Sequence, residues 1–408
     1  MKKMTCLFLS ALLLLSVCAC SNTEQKDNTT TTHPETISDQ TTASSTPGQE
    51  TQADSVRLPM LSISMPVTTE STAAEDGTII FSNTYQDVSL IAPDTETADT
   101  IVLNLLTQID NKQVSTEDML AWAKSNYAEE ESWYPYFYQV IYHPKRIDEK
   151  VLSLYGAEVS YSGGGHPNQV CVSATYDMAT GKQLLLGDIL TGSDAATALS
   201  QLIIEDLAVN KDTYQLYEGF AATANERYGG VSAVWSEQSA WFLSTDGLCV
   251  YFSPYDIAPY VVGEIVIEIP YEKLSGILLD DFIPAQLPDA SGQVRTALAQ
   301  DIDLEQYTQF AEAILDPNGE RFIIYSDDLV TDILLEQGDL SADSGSFTVS
   351  STVLAAHSLC DGDAIMVQSS FSADAPSLRL TYRSNDQIFR FLISQNQEDG
   401  SILMTELS

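Results

Sequence analysis

Two short stretches of the sequence carry the residues best suited to contact another molecule. The first follows a run of alternating apolar residues and contains the candidate binding residues Tyr161, Gly163, Gly164, Gly165, His166 and Asn168. Three consecutive glycines lose much freedom on folding, so they indicate unusual backbone angles or the close approach of another chain. A contact loop and a bulged hairpin explain this glycine turn equally well.

The second stretch contains the candidate binding residues Tyr255, Asp256, Pro259 and Tyr260. Tyrosine combines an apolar ring with a polar hydroxyl, a combination that protein interfaces favour. A rigid aromatic corner that packs against its own sheet would use the same residues.

Neither stretch has the spacing of a catalytic or metal-binding motif. A metal site would need companions to His166, and the chain contains neither His-x-x-x-His nor Cys-x-x-Cys. Gly-x-Ser-x-Gly and P-loop motifs are also absent from the sequence. Asp301, Asp303 and Glu305 resemble part of a calcium loop, but Gln306 stands where that loop needs glycine. The sequence therefore predicts no metal, no cofactor and no catalytic constellation.

The start of the chain reads as a bacterial lipoprotein signal. Lys2 and Lys3 precede an apolar run that is too short to span a membrane stably. The run ends in Val-Cys-Ala-Cys, which resembles a lipobox and implies a lipid on Cys20. Residues 1–19 are then the signal peptide, and the alternative is a plain cleaved signal without lipid.

The cysteine count limits the possible disulfides, and the net charge limits the class of partner. Beyond Cys20 there remain Cys171, Cys249 and Cys360, an odd number that argues against a disulfide framework. Cys171 and Cys249 are predicted either to pair across a sheet or to be buried free thiols.

The formal net charge of −40 disfavours binding of nucleic acid and suits a cationic protein partner. The alternative is that the charge only keeps the protein soluble.

Composition also divides the chain. Residues 20–75 are rich in Thr, Ser and acids and poor in large apolar residues, so we predict a disordered tether, with residues 56–63 as a candidate short strand inside it. Three domains are predicted after it, at residues 76–145, 146–285 and 290–408. We expect this head to be an α+β fold in which helices pack on antiparallel sheets.

Apolar periodicity predicts the elements that position the two stretches. Helices are expected over 101–109, after Ser115, from Asp194 and over 304–315. The aromatic run at 133–142 is either a strand with aromatics in the core or an exposed binding ledge. Alternating residues on both sides of the glycine turn predict strands.

The two stretches and two short motifs resemble the extracellular unit of RsiV- and PdaC-type proteins of Gram-positive bacteria. The second part of that unit is similar to Tyr161–His166, Thr180-Gly-Lys182, Leu186-Gly-Asp188 and Phe252–Tyr271. Residues 76–145 resemble its first part. The resemblance implies an α+β head displayed outside the cell, which in RsiV-like proteins binds lysozyme. The chain shows neither a transmembrane helix nor a deacetylase domain, so we expect neither an anti-sigma factor nor a deacetylase.

Three hypotheses follow from these observations. The first is a non-catalytic surface lipoprotein that binds a cationic protein such as lysozyme, or a peptidoglycan fragment. The second is an enzyme, or an accessory subunit of one, that acts on cell-wall polymer through an unrecognised acid and base. The third is a structural or assembly lipoprotein that pairs with a membrane protein.

Overall fold

The computed structural model describes residues 58–112, 116–127, 133–236, 240–341, 344–372 and 375–407. The predicted signal peptide, Cys20 and the predicted tether up to residue 57 lie outside these residues.

Strands dominate the described residues. In chain order they are β1 (Ser62–Ser64), β2 (Val67–Ala73), β3 (Ile79–Gln86), β4 (Ser89–Ile91), β5 (Tyr136–Ile147), β6 (Val151–Tyr161), β7 (Asn168–Asp177), β8 (Trp241–Leu243), β9 (Gly247–Phe252), β10 (Ile265–Pro270), β11 (Val294–Leu298), β12 (Gln309–Ile314), β13 (Glu320–Ser326), β14 (Val330–Leu340), β15 (Phe347–Leu359), β16 (Asp363–Ser369), β17 (Ser377–Ser384), β18 (Gln387–Gln395) and β19 (Ile402–Glu406). The α-helices are α1 (Thr95–Lys112), α2 (Thr116–Tyr127), α3 (Leu186–Ile189), α4 (Ser193–Val209), α5 (Phe220–Tyr228) and α6 (Val231–Val234).

These elements form an α+β fold with several sheets, as the sequence predicts. A five-stranded sheet has the order β2-β3-β5-β6-β7, and a three-stranded sheet has the order β10-β9-β8. A four-stranded sheet follows β11-β13-β16-β12, and a seven-stranded sheet follows β19-β18-β17-β14-β15-β1-β4. The pairing is antiparallel except between β3 and β5 and between β12 and β16.

The end of the predicted tether is part of the core. β1 lies between β15 and β4 in the seven-stranded sheet, and Ser62 faces Ala356. Leu61, Ile63 and Met65 are fully buried, whereas β2 continues as an edge strand with polar, exposed side chains. The prediction of disorder is therefore wrong between residues 60 and 73, and the candidate strand at 56–63 overlaps β1 only at its end. The composition of β2 indicated disorder because this edge strand has few apolar residues. Its backbone hydrogen bonds hold it in the sheet, so it needs little apolar surface.

The N-terminal helices cover the five-stranded sheet. α1 buries Ile101, Leu105 and Ile109 at a spacing of four residues, which confirms the predicted apolar stripe. The helix begins at Thr95, earlier than the predicted residue 101, and the Asp94 carboxylate accepts from the Glu96 amide of its first turn at 3.1 Å.

A second core joins α4 to the three-stranded sheet. α4 starts one residue before the predicted Asp194 and packs Leu199, Ile203 and Leu207 against the apolar side chains of β9 and β10. This core holds the ends of β9 and β10, and the loop between those strands carries the second candidate stretch.

The C-terminal part is a sandwich of two sheets. Alternate side chains of the four-stranded and seven-stranded sheets meet in one core, including Phe322, Val330 and Val353. The predicted helix over 304–315 is wrong, because residues 309–314 form β12 beside β16. Ala311 and Ala313 are buried at a period of two, and pairing with β16 outweighs the helical spacing.

Strand pairing crosses the predicted domain boundaries. β5 runs through residue 145 without a break, and β1 joins the N-terminal part to the sheet of the C-terminal part. Residues 54–408 form one compact unit. The boundaries predicted at residues 75 and 145 therefore separate no independent sheets.

We expect Ile63→Ala to lower the free energy of unfolding by about 3 kcal/mol, because Ile63 is fully buried in β1. Ile79→Ala is the matched control, since 46% of the Ile79 side chain is exposed, and it should cost less than about 1 kcal/mol. Urea unfolding of both variants measures the difference. Equal effects would contradict the assignment of β1 to the core.

His143 lies where β5 meets β15, with Nδ1 at 3.2 Å from the Thr352 hydroxyl. Burial, aided by the positive charge of Lys145, lowers the pKa of His143 to about 4 from 6.5. The unfolded state binds this proton more readily. Its contribution to stability is therefore complete above pH 6.5 and is lost as the pH falls toward 4.

We expect His143→Gln to flatten the dependence of stability on pH between 6.5 and 4, because glutamine does not titrate. The difference between the two proteins should grow to about 3 kcal/mol across this range. Urea unfolding at pH 7, 5.5 and 4.5 measures it. Parallel profiles of the two proteins would contradict the lowered pKa of His143.

Candidate functional site

The glycine turn joins β6 to β7, as predicted from the sequence. Gly163 and Gly164 have φ angles of +100° and +104°, which side chains other than glycine rarely adopt. A Cβ atom on Gly163 would also lie 3.1 Å from the hydroxyl oxygen of Tyr136. Gly165 has open space around it. The first two glycines are therefore needed for the shape of the turn.

The second stretch is the loop between β9 and β10, and Asp256 holds it in place. One carboxylate oxygen of Asp256 accepts from the Ser253 amide at 2.7 Å and from Arg227 of α5 at 2.8 Å. The Ser253 hydroxyl accepts from the Cys171 amide at 2.9 Å, which ties the loop to β7. Asp256, predicted as a binding residue, is thus engaged within the protein, and Arg227 and Ser253 are supports that the sequence did not reveal.

The two stretches meet in the folded protein. The His166 ring stacks on the Tyr260 ring, with centroids 3.9 Å apart and an angle of 21°. The Tyr255 ring lies 5.4 Å from the Tyr260 ring and 6.2 Å from the His166 ring. The Tyr260 hydroxyl donates to the Pro167 carbonyl at 2.9 Å. Residues 89 positions apart in the sequence thereby form one group of rings.

Hydrogen bonds fix the orientation of the His166 ring. Nδ1 lies 2.8 Å from the Pro167 carbonyl oxygen, and Nε2 lies 3.3 Å from the Tyr255 hydroxyl. A carbonyl oxygen can only accept, so we assign the proton of the neutral ring to Nδ1. Nε2 then accepts from Tyr255, and the three rings present a fixed pattern of donors and acceptors.

The backbone of Tyr255 is strained. Its φ angle is +74°, in the left-handed region that bulky residues avoid, and 57% of the residue is exposed. Strain of this kind persists when the surrounding structure imposes it, and it is frequent in binding and catalytic sites. Here the loop points an aromatic ring toward solvent at a cost to stability.

Two further tyrosines lie near the glycine turn, Tyr161 at the end of β6 and Tyr134 two residues before β5. Tyr161 donates its hydroxyl to the Gly164 carbonyl at 3.1 Å, and the Tyr134 ring packs against it edge-on at 5.2 Å. The run at 133–142 therefore fits both predicted roles, because Tyr136 and Tyr138 are buried while 63% of Tyr134 is exposed. We call the surface of Tyr134, Tyr161, His166, Tyr255 and Tyr260 the aromatic face.

Pro259 and Asn168 occupy the margins of this surface. Pro259 is half-buried and immediately precedes the 3₁₀ turn Tyr260–Val262. Asn168 is exposed at the first position of β7, opposite Ser160. The structure thus places all the predicted binding residues in two adjacent loops or, for Tyr161 and Asn168, at the strand ends that border the glycine turn.

A partly buried polar cluster forms around Glu264, the last residue of the loop between β9 and β10. The Glu264 carboxylate accepts from the Tyr155 hydroxyl at 2.9 Å and from the Cys171 thiol at 3.3 Å. Burial raises the pKa of Cys171 to about 11, so the thiol is protonated at neutral pH and is a poor nucleophile. Cys171 and Cys249 are both buried free thiols, which decides between the two predicted states.

The described residues show no arrangement suited to a metal ion. No group of three or more His, Cys, Asp or Glu side chains in them could hold one. Asp303, part of the faint calcium-loop pattern, accepts from the Glu305 amide at 3.0 Å at the start of a 3₁₀ turn. Among all the residues that the structure describes, no helix is both long enough and apolar enough to cross a membrane.

One family description matches the chain. Residues 187–272 match DUF3298, a protein of unknown function. The matched residues include the loop with Tyr255 and Tyr260 and end before the C-terminal sandwich. The match supports, at a coarse level, the family resemblance expected from the sequence.

Two solved structures of DUF3298 family members resemble the chain. One, from Bacteroides fragilis, has 21% sequence identity and a TM-score of 0.39, over 54% of this chain and 94% of its own. The other, from Pseudomonas aeruginosa, has 18% identity and a TM-score of 0.38, over 57% of this chain and 99% of its own. No curated protein matches the sequence.

We expect Tyr255→Asn to raise the free energy of unfolding by about 1 kcal/mol, because asparagine tolerates the left-handed region better than tyrosine. Tyr134→Asn is the control, since Tyr134 is equally exposed but has no positive φ. It should not stabilise the protein. Thermal and urea unfolding measure both. A clear loss of stability in Tyr255→Asn would contradict the strain at this position.

Proposed function

We propose that the chain is a non-catalytic binding module that uses the aromatic face to hold a cationic protein. The observation that carries the proposal is the strained, exposed Tyr255, stacked with His166 and Tyr260 where two loops meet. A ring held away from its own core at a cost in backbone energy is available to a partner.

The chemistry of the aromatic face suits a protein partner. Tyrosine is enriched in binding hot spots, because it buries a large ring and still offers a hydroxyl at its edge. The rings are held by hydrogen bonds and stacking before any partner arrives, so little conformational entropy remains to be lost on binding.

Charge suggests the sign of the partner. The chain carries 58 acidic and 18 basic residues, and Glu264 is exposed at the end of the loop that carries Tyr255 and Tyr260. A basic protein would be steered toward such a surface at low ionic strength. Lysozyme is the partner that the RsiV-type resemblance implies, and it has the required charge.

The proposal includes display at the outer face of a bacterial membrane. It rests on the lipobox-like sequence before Cys20, which lies outside the described residues. Two acyl chains on Cys20 would anchor the chain stably, whereas a single chain would not. The sequence before β1 would separate the folded unit from the membrane.

Isothermal titration calorimetry with a c-type lysozyme tests the proposal. The protein should comprise residues 54–408, because a start at residue 76 would remove β1 and β2. We expect binding that persists at 150 mM salt, where exposed charges are largely screened beyond about 8 Å. Equal binding of cytochrome c that disappears with salt would contradict a specific site.

Tyr255→Asn should weaken this binding at least tenfold, a change of about 1.4 kcal/mol, without lowering the melting temperature. Trp122→Ala is the control, because Trp122 is 56% exposed on α2 and outside the aromatic face. Unchanged affinity in Tyr255→Asn would exclude the aromatic face. Binding of soluble peptidoglycan fragments in place of lysozyme would contradict a protein partner.

A further inference from the structure

The loop between α4 and α5 adjoins the loop that carries Tyr255. The Tyr217 amide donates to the Ile257 carbonyl at 2.9 Å, and Ile257 is two positions after Tyr255. Given the reach of this bond and of two residues of chain, the α-carbons of Tyr217 and Tyr255 lie at most about 14 Å apart. Tyr217 is 43% exposed and Tyr255 is 57% exposed. Both side chains are therefore accessible to one partner.

Backbone hydrogen bonds and one buried leucine hold the α4–α5 loop in place. Leu216 is buried in the core that joins α4 to the three-stranded sheet, and its amide donates to the Lys211 carbonyl at 3.0 Å. At the start of α5, the Phe220 amide donates to the Tyr217 carbonyl at 3.1 Å. The backbone of Tyr217 is thus bonded on both sides, so little backbone entropy remains to be lost when a partner covers it.

Backbone strain is a second observation that links the two loops. Among the described residues, five that are not glycine have a positive φ angle. Three of them are aspartate or asparagine, which tolerate the left-handed region. The other two are Gln215, with φ of +50°, and Tyr255, and they lie in these adjoining loops. Such strain is frequent in binding sites, so its occurrence in both loops favours a shared function.

The aromatic face alone is too small for a stable protein complex. It contains far fewer residues than the roughly 20–30 that each partner contributes to a typical interface. Such an interface buries about 800 Å² on each side, which corresponds to a circular patch about 32 Å across. If Tyr255 is at the centre of that patch, Tyr217 falls inside it.

Val261 adds an apolar side chain to the same surface. It follows Tyr260 in the 3₁₀ turn Tyr260–Val262 and is 81% exposed. The centre of a protein interface is enriched in aromatic and apolar residues and depleted of charge. An exposed valine beside the rings therefore indicates that the contact includes an apolar group of the partner.

Acidic residues outnumber basic ones around the α4–α5 loop. Arg227 of α5 is paired with Asp256, so these two charges largely cancel. The other exposed charged residues of the loop and of the adjoining part of α5 are Lys211, Asp212, Glu218 and Glu226. This balance favours a basic side chain of the partner over an acidic one.

We propose that the binding surface extends from the aromatic face over the α4–α5 loop, and that Tyr217 and Val261 contact the same partner as Tyr255. The surface fits a segment in which a lysine or arginine lies beside an apolar residue. The rings and Val261 pack on the apolar group and on the stem of the basic side chain, and the carboxylates attract its charge. This inference rests on the proposed function, to which it adds contact residues and the chemistry of the segment that they recognise.

Calorimetric titration of the full-length chain with a c-type lysozyme at 150 mM salt tests Tyr217. Tyr217→Ala should weaken binding at least about fivefold, because it removes a large ring from the contact. Its melting midpoint should change by less than about 2 °C, since the side chain is partly exposed. Tyr217→Phe should bind within about twofold of the wild-type chain, because the ring remains. Trp122→Ala, at an exposed aromatic residue of α2, is the control and should bind like the wild type.

Variants that change charge test the rest of the surface. Val261→Lys should weaken binding at least about tenfold, because it places a positive charge against a basic partner. Ile314→Lys on β12, where Ile314 is 50% exposed, is its control and should have no effect. Glu218→Lys should slow association at least about twofold at 50 mM salt in surface plasmon resonance, whereas Glu117→Lys on α2 should not.

The outcomes separate this inference from the proposed function. Unchanged affinity in Tyr217→Ala and Val261→Lys, together with a loss in Tyr255→Asn, would overturn the extension and leave the aromatic face in place. A loss in Tyr217→Ala without one in Tyr255→Asn would support the contact at Tyr217 and overturn the aromatic face. If Tyr217→Ala fails to fold, Val261→Lys decides the question. Absence of binding by the wild-type chain would overturn both proposals.

Discussion

The burial of the segment around β1 is the constraint on which the rest of the structure depends. β1 pairs with β15 on one side and β4 on the other, and the bond from the Met65 amide to the Val353 carbonyl, 2.8 Å long, extends this pairing. Side chains that flank β1 enter the core of the five-stranded sheet as well as that of the sandwich. Residues nearly 300 positions apart are thereby fixed to each other, and the two halves of the chain become one unit.

This arrangement separates two surfaces with different chemistry. The aromatic face is built by loops at the ends of β6 and β9, and partly buried hydrogen bonds of Ser253 and Asp256 hold the second of these loops in place. A cleft lies where β5 approaches the seven-stranded sheet. The aromatic face, in contrast, carries exposed rings.

The sequence predicted local features better than distant ones. Helix α1 and the strands beside the glycine turn were visible because their apolar residues repeat at the period of the element. The candidate residues of both loops were identified by glycine, proline and tyrosine content, and the structure brings them together. The strain at Tyr255 could not be predicted, because nothing in a tyrosine signals a left-handed backbone. The burial of Arg146 also gave no signal, since it comes from contacts with residues more than 100 positions away.

Hydrogen–deuterium exchange of residues 54–408, with and without a c-type lysozyme, tests the central claim most directly. The account predicts slower exchange at residues 161–168 and 254–263, the two loops of the aromatic face. Exchange at residues 144–147 in the cleft should stay the same. Unchanged exchange in both loops, with protection elsewhere on the saturated protein, would contradict the assignment of the aromatic face as the binding surface.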